Sequence, residues 1–113
     1  MTAAPVPGDM LTAVTAAVDS AWILAATVPI GDMVEAVRRS PAEMILVLAG
    51  SELTAVDRAA LLAAIGPLAA ELAPGRRIGA LDLTRGASIA DCVAAARFLC
   101  GAESTTGQVL RIT

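Results

Sequence analysis

The stretch of sequence that decides the fold spans residues 44–50 and has the sequence MILVLAG. Six apolar residues follow one another without a polar residue between them, and a glycine ends the run. A continuous apolar run of this length is typical of a strand that is buried on both faces, as in a parallel sheet. A helix is the competing interpretation, because residues 40–43, SPAE, resemble a capping box.

The segment after this run predicts a long helix. Residues 54–57, TAVD, form a capping box at its start, and Pro74 and Gly75 end it. Apolar residues at helical spacing form its core-facing stripe: Leu61, Leu62, Ile65, Leu68 and Leu72. Its other faces are filled by alanines at positions 59, 60, 63, 64, 69 and 70. These small side chains would let a neighbouring helix approach closely.

The C-terminal third predicts two further strands with a helix between them. Residues 77–83 alternate enough to form a second strand, and residues 108–112 form a last one after a turn at Thr106 and Gly107. Between them, Ser88 caps a helix whose apolar residues 89, 92, 93, 96 and 99 face inward.

The part of the chain before residue 44 predicts helix. Apolar residues at positions 11, 14, 18, 22 and 25 recur at spacings of three and four, which indicates a first helix from Met10 to Ala26. Pro29 and Gly31 interrupt the pattern, and a second helical stripe then continues to residue 40. The sequence leaves open whether the two pieces form one kinked helix.

The order of these elements predicts an α/β domain over residues 10–113, with about three parallel strands, three to four helices and right-handed connections. Residues 1–9 contain two prolines and no basic residue. They are predicted to be a flexible N-terminal lead-in rather than a signal peptide, and a cytoplasmic location is therefore expected.

Composition excludes several classes of protein. Apolar residues make up 57% of the chain, which excludes a disordered segment. The net charge is -3, so a nucleic-acid partner is not expected. The longest uncharged stretches, residues 20–31 and 59–70, are twelve residues each. Both are shorter than a bilayer span, and no membrane association is expected.

The chain offers few groups for catalysis or metal binding. It contains no His, Tyr or Lys, which removes most of the usual general acids and bases. Its two cysteines, Cys92 and Cys100, lack further ligands for a metal site. Eight residues along a helix is a rise of roughly 12 Å, which exceeds the reach of a disulfide. We therefore expect two free thiols and no metal.

Two blocks of the sequence resemble short-chain dehydrogenases/reductases. Residues 59–74, followed by a strand from Arg77, are similar to the central helix and sixth strand of that family. Residues 91–100 and 106–112 are similar to its final helix, with a Phe-Leu pair, and to its Thr-Gly-Gln-Val-Leu seventh strand. A weaker match links residues 19–51 to the preceding helix and fifth strand. The resemblance implies a truncated Rossmann-like three-layer domain, corresponding to the C-terminal half of the family's fold.

The resemblance also bears on the cofactor. The family holds a dinucleotide on a Thr-Gly-x-x-x-Gly-x-Gly turn that follows its first strand. The nine glycines of this chain never occur at that spacing. We therefore expect no NAD(P) and no other cofactor.

The family's catalytic positions fall on unsuitable residues. With its acidic position placed on Glu71, Arg58 stands in place of the catalytic Lys and Thr54 in place of the catalytic Tyr. Ser51 lies where the family has its Ser, and Ala21 lies near its Asn. A threonine hydroxyl does not ionise at accessible pH, and arginine is a poor substitute for a compact ammonium. These positions are therefore interpreted as degenerate.

Structural roles are expected for these residues instead. Thr54 is predicted to be a helix N-cap and Ser51 a turn residue. Arg58 is predicted to lie on the surface in the first turn of its helix, paired with Asp57 or Glu52.

The first functional hypothesis is a non-catalytic assembly subunit, either a homodimer or a heteromer with a full-length short-chain dehydrogenase. In the family, helices equivalent to residues 19–39 and 55–73 pack into oligomers. The strand at residues 44–50 is expected to expose an unpaired apolar edge that a partner must cover. The candidate interface residues are Trp22, Ala60, Ala63, Ala64, Ile65 and Leu68.

The alternative hypothesis is a cofactor-independent enzyme, such as an isomerase or cyclase, that reuses the remnant cleft. It would rely on Asp82, Glu52, Asp57 or an arginine. Asp82 is the one charge within a strand pattern, and its more ordinary role is to bind nearby helix N-termini.

Overall fold

The computed structural model describes residues 7–113, in which four parallel strands form one sheet in the order β1-β2-β3-β4. Helices and strands alternate along the chain: α1 Gly8–Ala17, β1 Trp22–Ala25, α2 Ile30–Arg39, β2 Met44–Ala49, α3 Ala55–Leu72, β3 Arg77–Leu83, α4 Ile89–Gly101 and β4 Gln108–Ile112. The expected Rossmann-like α/β architecture with three layers is confirmed, with four strands rather than three.

Strand β2 lies at the centre of the domain, as its apolar run predicts. Each of its six residues is buried. Met44, Leu46 and Leu48 point toward the core on one face of the sheet, and the alternate residues point toward the core on the other. The competing helix is wrong, because Ser40 ends α2 and its hydroxyl accepts a hydrogen bond from the Ala42 amide at 3.2 Å.

The prediction of a first helix from Met10 to Ala26 is wrong. Helix α1 ends at Ala17, and residues 22–25 form strand β1, which pairs with β2 from Trp22–Ile45 to Ala25–Leu48. The apolar spacing of three and four continues across both elements by coincidence, since a four-residue strand is too short to show its own period. Helix α2 is thus a separate helix and not the second half of a kinked one.

The position of β1 also corrects the expected open edge. Because β1 pairs with β2 along its whole length, β2 is an interior strand. The outer edges of the sheet belong to β1 and β4, and neither has a strand partner on its far side within residues 7–113.

The two faces of the sheet are covered by different pairs of helices. Helices α1 and α4 pack over one face, and α2 and α3 pack over the other. All strands are parallel and follow one another in order, so the connection through α4 has the opposite hand to those through α2 and α3. Uniformly right-handed connections, which are the general rule, are therefore not found. Placing α4 beside the short α1 gives both faces a covering layer.

Helix α1 begins within the segment that was predicted to be a lead-in. Pro7 is the N-cap of α1, so Gly8 and Asp9 belong to the helix rather than to a lead-in. The rest of the predicted lead-in, residues 1–6, lies outside the described residues. None of the helices within residues 7–113 is both long enough and apolar enough to cross a bilayer.

Candidate functional site

The carboxyl ends of β2, β3 and β4 form a polar cleft. In a parallel sheet these ends lie along one edge, where the connections to the following helices begin. A cavity of about 200 Å³ opens there. It is lined by Ser51, Arg58, Asp82, Leu83, Thr84, Arg85 and Arg111.

An ion pair between Arg58 and Asp82 occupies the middle of this cleft. Arg58 extends from the first turn of α3, and its Nη1 donates to Asp82 Oδ1 while its Nη2 donates to the Gly50 carbonyl. The two side chains are only 22% and 13% exposed. A pair this sheltered is screened less by water than a surface pair.

This pairing corrects two expectations. Arg58 does not pair with Asp57 or Glu52, because it reaches across to β3 instead. Asp82 binds this arginine rather than a helix N-terminus. The sequence did not indicate the pair, since 24 residues separate its members and only the parallel pairing of β2 with β3 brings them together.

Thr54 and Ser51 have the structural positions that were predicted. The Thr54 hydroxyl accepts a hydrogen bond from the Asp57 amide at 3.1 Å, so Thr54 is the N-cap of α3. Its side chain is exposed and does not line the cleft. Ser51 lies in the turn after β2 and lines the cleft. Of the three degenerate positions, only Ser51 and Arg58 therefore meet in one place.

Arg85 and Arg111 complete the cleft, and sequence analysis missed both. Arg85 follows β3, with its Nη2 3.8 Å from an oxygen of Glu52. Arg111 on β4 is paired in register with Asp82 on β3, which places the two residues side by side at the sheet edge. In the sequence, the available signal for Arg111 was its position as a basic residue one place before the end of the last strand, which puts it near the carboxyl edge of the sheet.

The cysteines are free thiols packed as small apolar groups. Cys92 is fully buried between α4 and the sheet, and Cys100 is partly buried. Burial raises the pKa of both thiols above its ordinary value. The described part of the chain contains no group of three or more His, Cys, Asp or Glu residues that could hold a metal ion.

The predicted interface residues divide into two sets. Ile65 and Leu68 are buried beneath α3 against the sheet, where the core-facing stripe places them, and do not lie on the outer surface of the helix. Ala60 and Ala63 are exposed on the outer side of α3, and Ala64 is partly buried. Trp22 is partly buried at the start of β1. Together with Ser40, Pro41 and Ala42 it lines an apolar groove of about 490 Å³.

The strand-to-helix connections do not fit a dinucleotide. A pyrophosphate requires a connection with closely spaced glycines, whose amides can approach the phosphates. The connection after β1 contains no glycine, and those after β2 and β3 contain one each, Gly50 and Gly86. The residues present at these three turns therefore do not provide the phosphate-binding turn that the resemblance implies for the family.

Comparison with known proteins agrees with the resemblance in the sequence. A family model described as "SDR-like: Short chain dehydrogenase-like protein" matches residues 12–112. No curated protein and no solved structure gives a significant match. Because the family model spans nearly every element from α1 to β4, the chain belongs to the SDR-like family of short chain dehydrogenase-like proteins.

Proposed function

We propose that the chain is a non-catalytic member of this family that acts through assembly, as a homodimer or as a heteromer with a full-length short-chain dehydrogenase. The observation that carries the proposal is the outer face of helix α3. This face is exposed, yet it has no charged residue between Arg58 and Glu71.

The contrast with α2, the other helix on the same side of the sheet, shows how unusual this face is. The exposed positions of α2 carry Asp32, Glu35, Arg38 and Arg39, as expected for a helix facing water. The exposed positions of α3 in this stretch are Ala59, Ala60, Ala63, Gly66, Pro67 and Ala70. A helix that is uncharged on every face is typical of one that is buried on every face.

The size of these side chains favours another helix as the covering element. The distance between two packed helices depends on the side chains at their contact, and small residues permit the closest approach. Val56, which is 78% exposed, extends the apolar surface toward the start of α3. A second copy of α3, or the equivalent helix of a longer relative, would cover this surface.

A second surface supports association at the edge of the sheet. The outer edge of β1 carries backbone groups without a strand partner within residues 7–113. The apolar groove beside Trp22 lies at the start of the same strand. Natural proteins cover or block such edges, since an open edge pairs readily with another chain.

The degenerate catalytic positions support the non-catalytic part of the proposal. Thr54 stands in place of the tyrosine, and its hydroxyl is engaged in capping α3. Arg58 stands in place of the lysine, and its guanidinium is engaged by Asp82 and the Gly50 carbonyl. Both side chains thus have structural partners that account for their positions.

Sedimentation equilibrium of the purified protein tests assembly. We expect a mass above the 11.3 kDa of one chain at micromolar concentration. Ala63→Arg should shift the equilibrium to monomer, because the long charged side chain would be buried without a partner. Ala94→Arg, on an exposed position of α4 beside Asp91 and Arg97, is the matched control and should assemble as the wild type does. A wild-type protein that sediments as a monomer of 11.3 kDa would contradict assembly as a homodimer.

A restoration experiment tests the loss of catalysis separately. The double variant Thr54→Tyr with Arg58→Lys supplies the two residue types that the family uses. We expect no carbonyl reduction with added NADH or NADPH, because the strand-to-helix turns do not fit the dinucleotide. Measurable reductase activity in this variant would show that the cleft is catalytically competent apart from two side chains.

The cofactor-independent enzyme remains the second candidate, and one observation favours it: the cleft is open and polar. In the part of the chain that the structure describes, its only lining carboxylate is Asp82, which already binds Arg58. For Asp82 to abstract a proton from a substrate, this ion pair would have to separate. The observation therefore supports binding in the cleft more directly than acid-base catalysis.

A further inference from the structure

The cleft at the carboxyl ends of the strands concentrates positive charge in an acidic protein. The chain has a net charge of -3 and eight arginines in total. Among residues 7–113, Arg58, Arg85 and Arg111 line this one cavity, against a single lining carboxylate, Asp82. Several arginines lining one cavity are an arrangement that proteins use to bind oxyanions.

The charges of these arginines are balanced unequally. Arg58 is neutralised by Asp82. Arg85 is 84% exposed, and Glu52, at 3.8 Å, is its only ion-pair partner within residues 7–113. Arg111 belongs to none of the ion pairs formed in that range. Within residues 7–113, the charge of Arg85 is therefore balanced only by the 3.8 Å contact with Glu52, and the charge of Arg111 by no ion pair.

A hydroxyl group adds a neutral donor to the same cavity. Ser51 is partly buried at the end of β2 and lines the cleft. Thr84 lines it too, but its hydroxyl already donates to the Ile112 carbonyl at 3.0 Å. Ser51, in the turn after β2, can therefore donate to a ligand. Arg85 can donate from the loop after β3, and Arg111 from β4.

The cavity volume restricts the size of the ligand. Sites for drug-sized molecules enclose roughly 300–1,000 Å³. The volume here is about 200 Å³, which suits a small ion or the charged end of a larger molecule. Donors on three separate elements suit a tetrahedral group with several oxygens, whereas a planar carboxylate is satisfied by one guanidinium fork.

We propose that the cleft formed by Ser51, Arg85 and Arg111 binds a phosphate group, either free or as the phosphate monoester of a small ligand. Arg58 and Asp82 line the same cavity as a mutually neutralised ion pair. The proposal does not depend on association through α3, because neither the alanine face of that helix nor the edge of β1 lines the cleft.

Titration with inorganic phosphate tests the site directly. We expect saturable binding by calorimetry at constant ionic strength. In NMR spectra, the amide shifts should be confined to residues 50–58, 82–86 and 111. Sodium chloride should produce no such pattern, and acetate should bind more weakly than phosphate. Absence of saturation, or equal binding of acetate and phosphate, would overturn the assignment.

Charge variants locate the site within the cleft. Arg111→Gln should weaken phosphate binding by at least about tenfold, because a charge-assisted hydrogen bond is lost. Arg85→Gln, in an exposed loop position, should weaken binding as well and carries little risk to folding. Arg97→Gln removes the same charge from an exposed position on α4 and should leave the affinity unchanged. Equal losses at Arg97 and Arg111 would indicate non-specific attraction and reject the site.

Asp82→Asn should raise the affinity for phosphate, whereas Arg85→Gln and Arg111→Gln should lower it. Removing this carboxylate frees the positive charge of Arg58 inside the cavity while keeping the shape of the side chain. Phosphate should therefore bind several-fold more tightly to the variant than to the wild type. Weaker binding in a folded Asp82→Asn protein would contradict the proposed electrostatics.

Discussion

The two ends of strand β3 use arginine in opposite ways. At the amino end, Arg77 donates to the carbonyls of Leu99, Cys100, Ala102 and Thr105. These hydrogen bonds close the C-terminus of α4. At the carboxyl end, the arginines surround an open cleft. The same residue type thus completes a helix at one end of the sheet and leaves charge available at the other.

Arg76 repeats the pattern of the amino end on the opposite face of the sheet. Its guanidinium donates to the carbonyls of Val37, Arg38 and Ala42 at the end of α2. The last carbonyls of a helix lack partners within the helix and carry the negative end of its dipole. Two adjacent arginines therefore close two helices on two sides of the sheet. At the amino end of β3, backbone carbonyls fix Arg76 and Arg77. At the carboxyl end, no comparable set of carbonyls within residues 7–113 binds Arg85 or Arg111.

Arg77→Ala should have the largest effect on stability. It removes partly buried hydrogen bonds to four carbonyls at and just after the end of α4. We expect a loss of roughly 2–3 kcal/mol in the free energy of unfolding, measured by urea denaturation. Arg97→Ala, on the exposed face of α4, is the control and should change it by less than about 0.5 kcal/mol. Equal losses of stability in Arg77→Ala and Arg97→Ala would mean that Arg77 has no larger structural role than an arginine on the exposed face of α4.

The next effect concerns the ion pair in the cleft. Asp82→Ala leaves Arg58 without its carboxylate at a site where the two side chains are 22% and 13% exposed. Partial solvent screening reduces the cost below that of a fully buried pair, and we expect a loss of about 1–2 kcal/mol. A double-mutant cycle with Arg58→Ala isolates the interaction. A coupling energy near zero would show that the pair does not organise the cleft.

The sequence predicted most of the fold because most elements carry a clear local signal. The apolar run of β2, the cap at Thr54 and the stripe of α3 each depend on neighbouring residues alone. The structure confirms the strand, the cap and the buried positions 61, 65 and 68 of the stripe. Strand β1 has only four residues, and its apolar positions continued the period of the helix before it. Only its pairing with β2, twenty residues further along, distinguishes it as a strand.

The candidate site was less predictable for the same physical reason. Arg58 and Asp82 are 24 residues apart, and Asp82 and Arg111 are adjacent only through the register of β3 with β4. Such pairs depend on strand order, which a local pattern does not contain. The roles of Arg76 and Arg77 were missed likewise, because the helix ends that they close lie far from them in the sequence.

Thr54→Ala should lower the free energy of unfolding by about 1 kcal/mol, because it removes the side-chain cap of α3. The Thr54 hydroxyl accepts from the Asp57 amide at 3.1 Å, and the residue is exposed and outside the cleft. We therefore expect lower thermal stability with unchanged phosphate binding and unchanged assembly. Thr54→Ser should restore most of the loss, because serine supplies the same acceptor. A variant with normal stability but altered binding would assign Thr54 to the site rather than to the helix.

The smallest effect on stability is expected at the Arg38–Glu71 ion pair on the protein surface. Arg38 links α2 to α3 by donating to both carboxylate oxygens of Glu71 at 3.0 Å. These hydrogen bonds lower the pKa of Glu71 below its ordinary value. A carboxyl group with a lowered pKa in the folded state stabilises the protein at neutral pH, and this contribution is lost as the pH falls through that pKa. The stability difference between wild type and Glu71→Gln should therefore be constant above about pH 5.5 and shrink below about pH 4. Because both side chains are exposed, high salt should reduce the difference as well. Glu103→Gln, which removes an exposed carboxylate outside the ion pairs of residues 7–113, is the control. Matching pH profiles for the two variants would mean that the Arg38–Glu71 pair does not stabilise the fold.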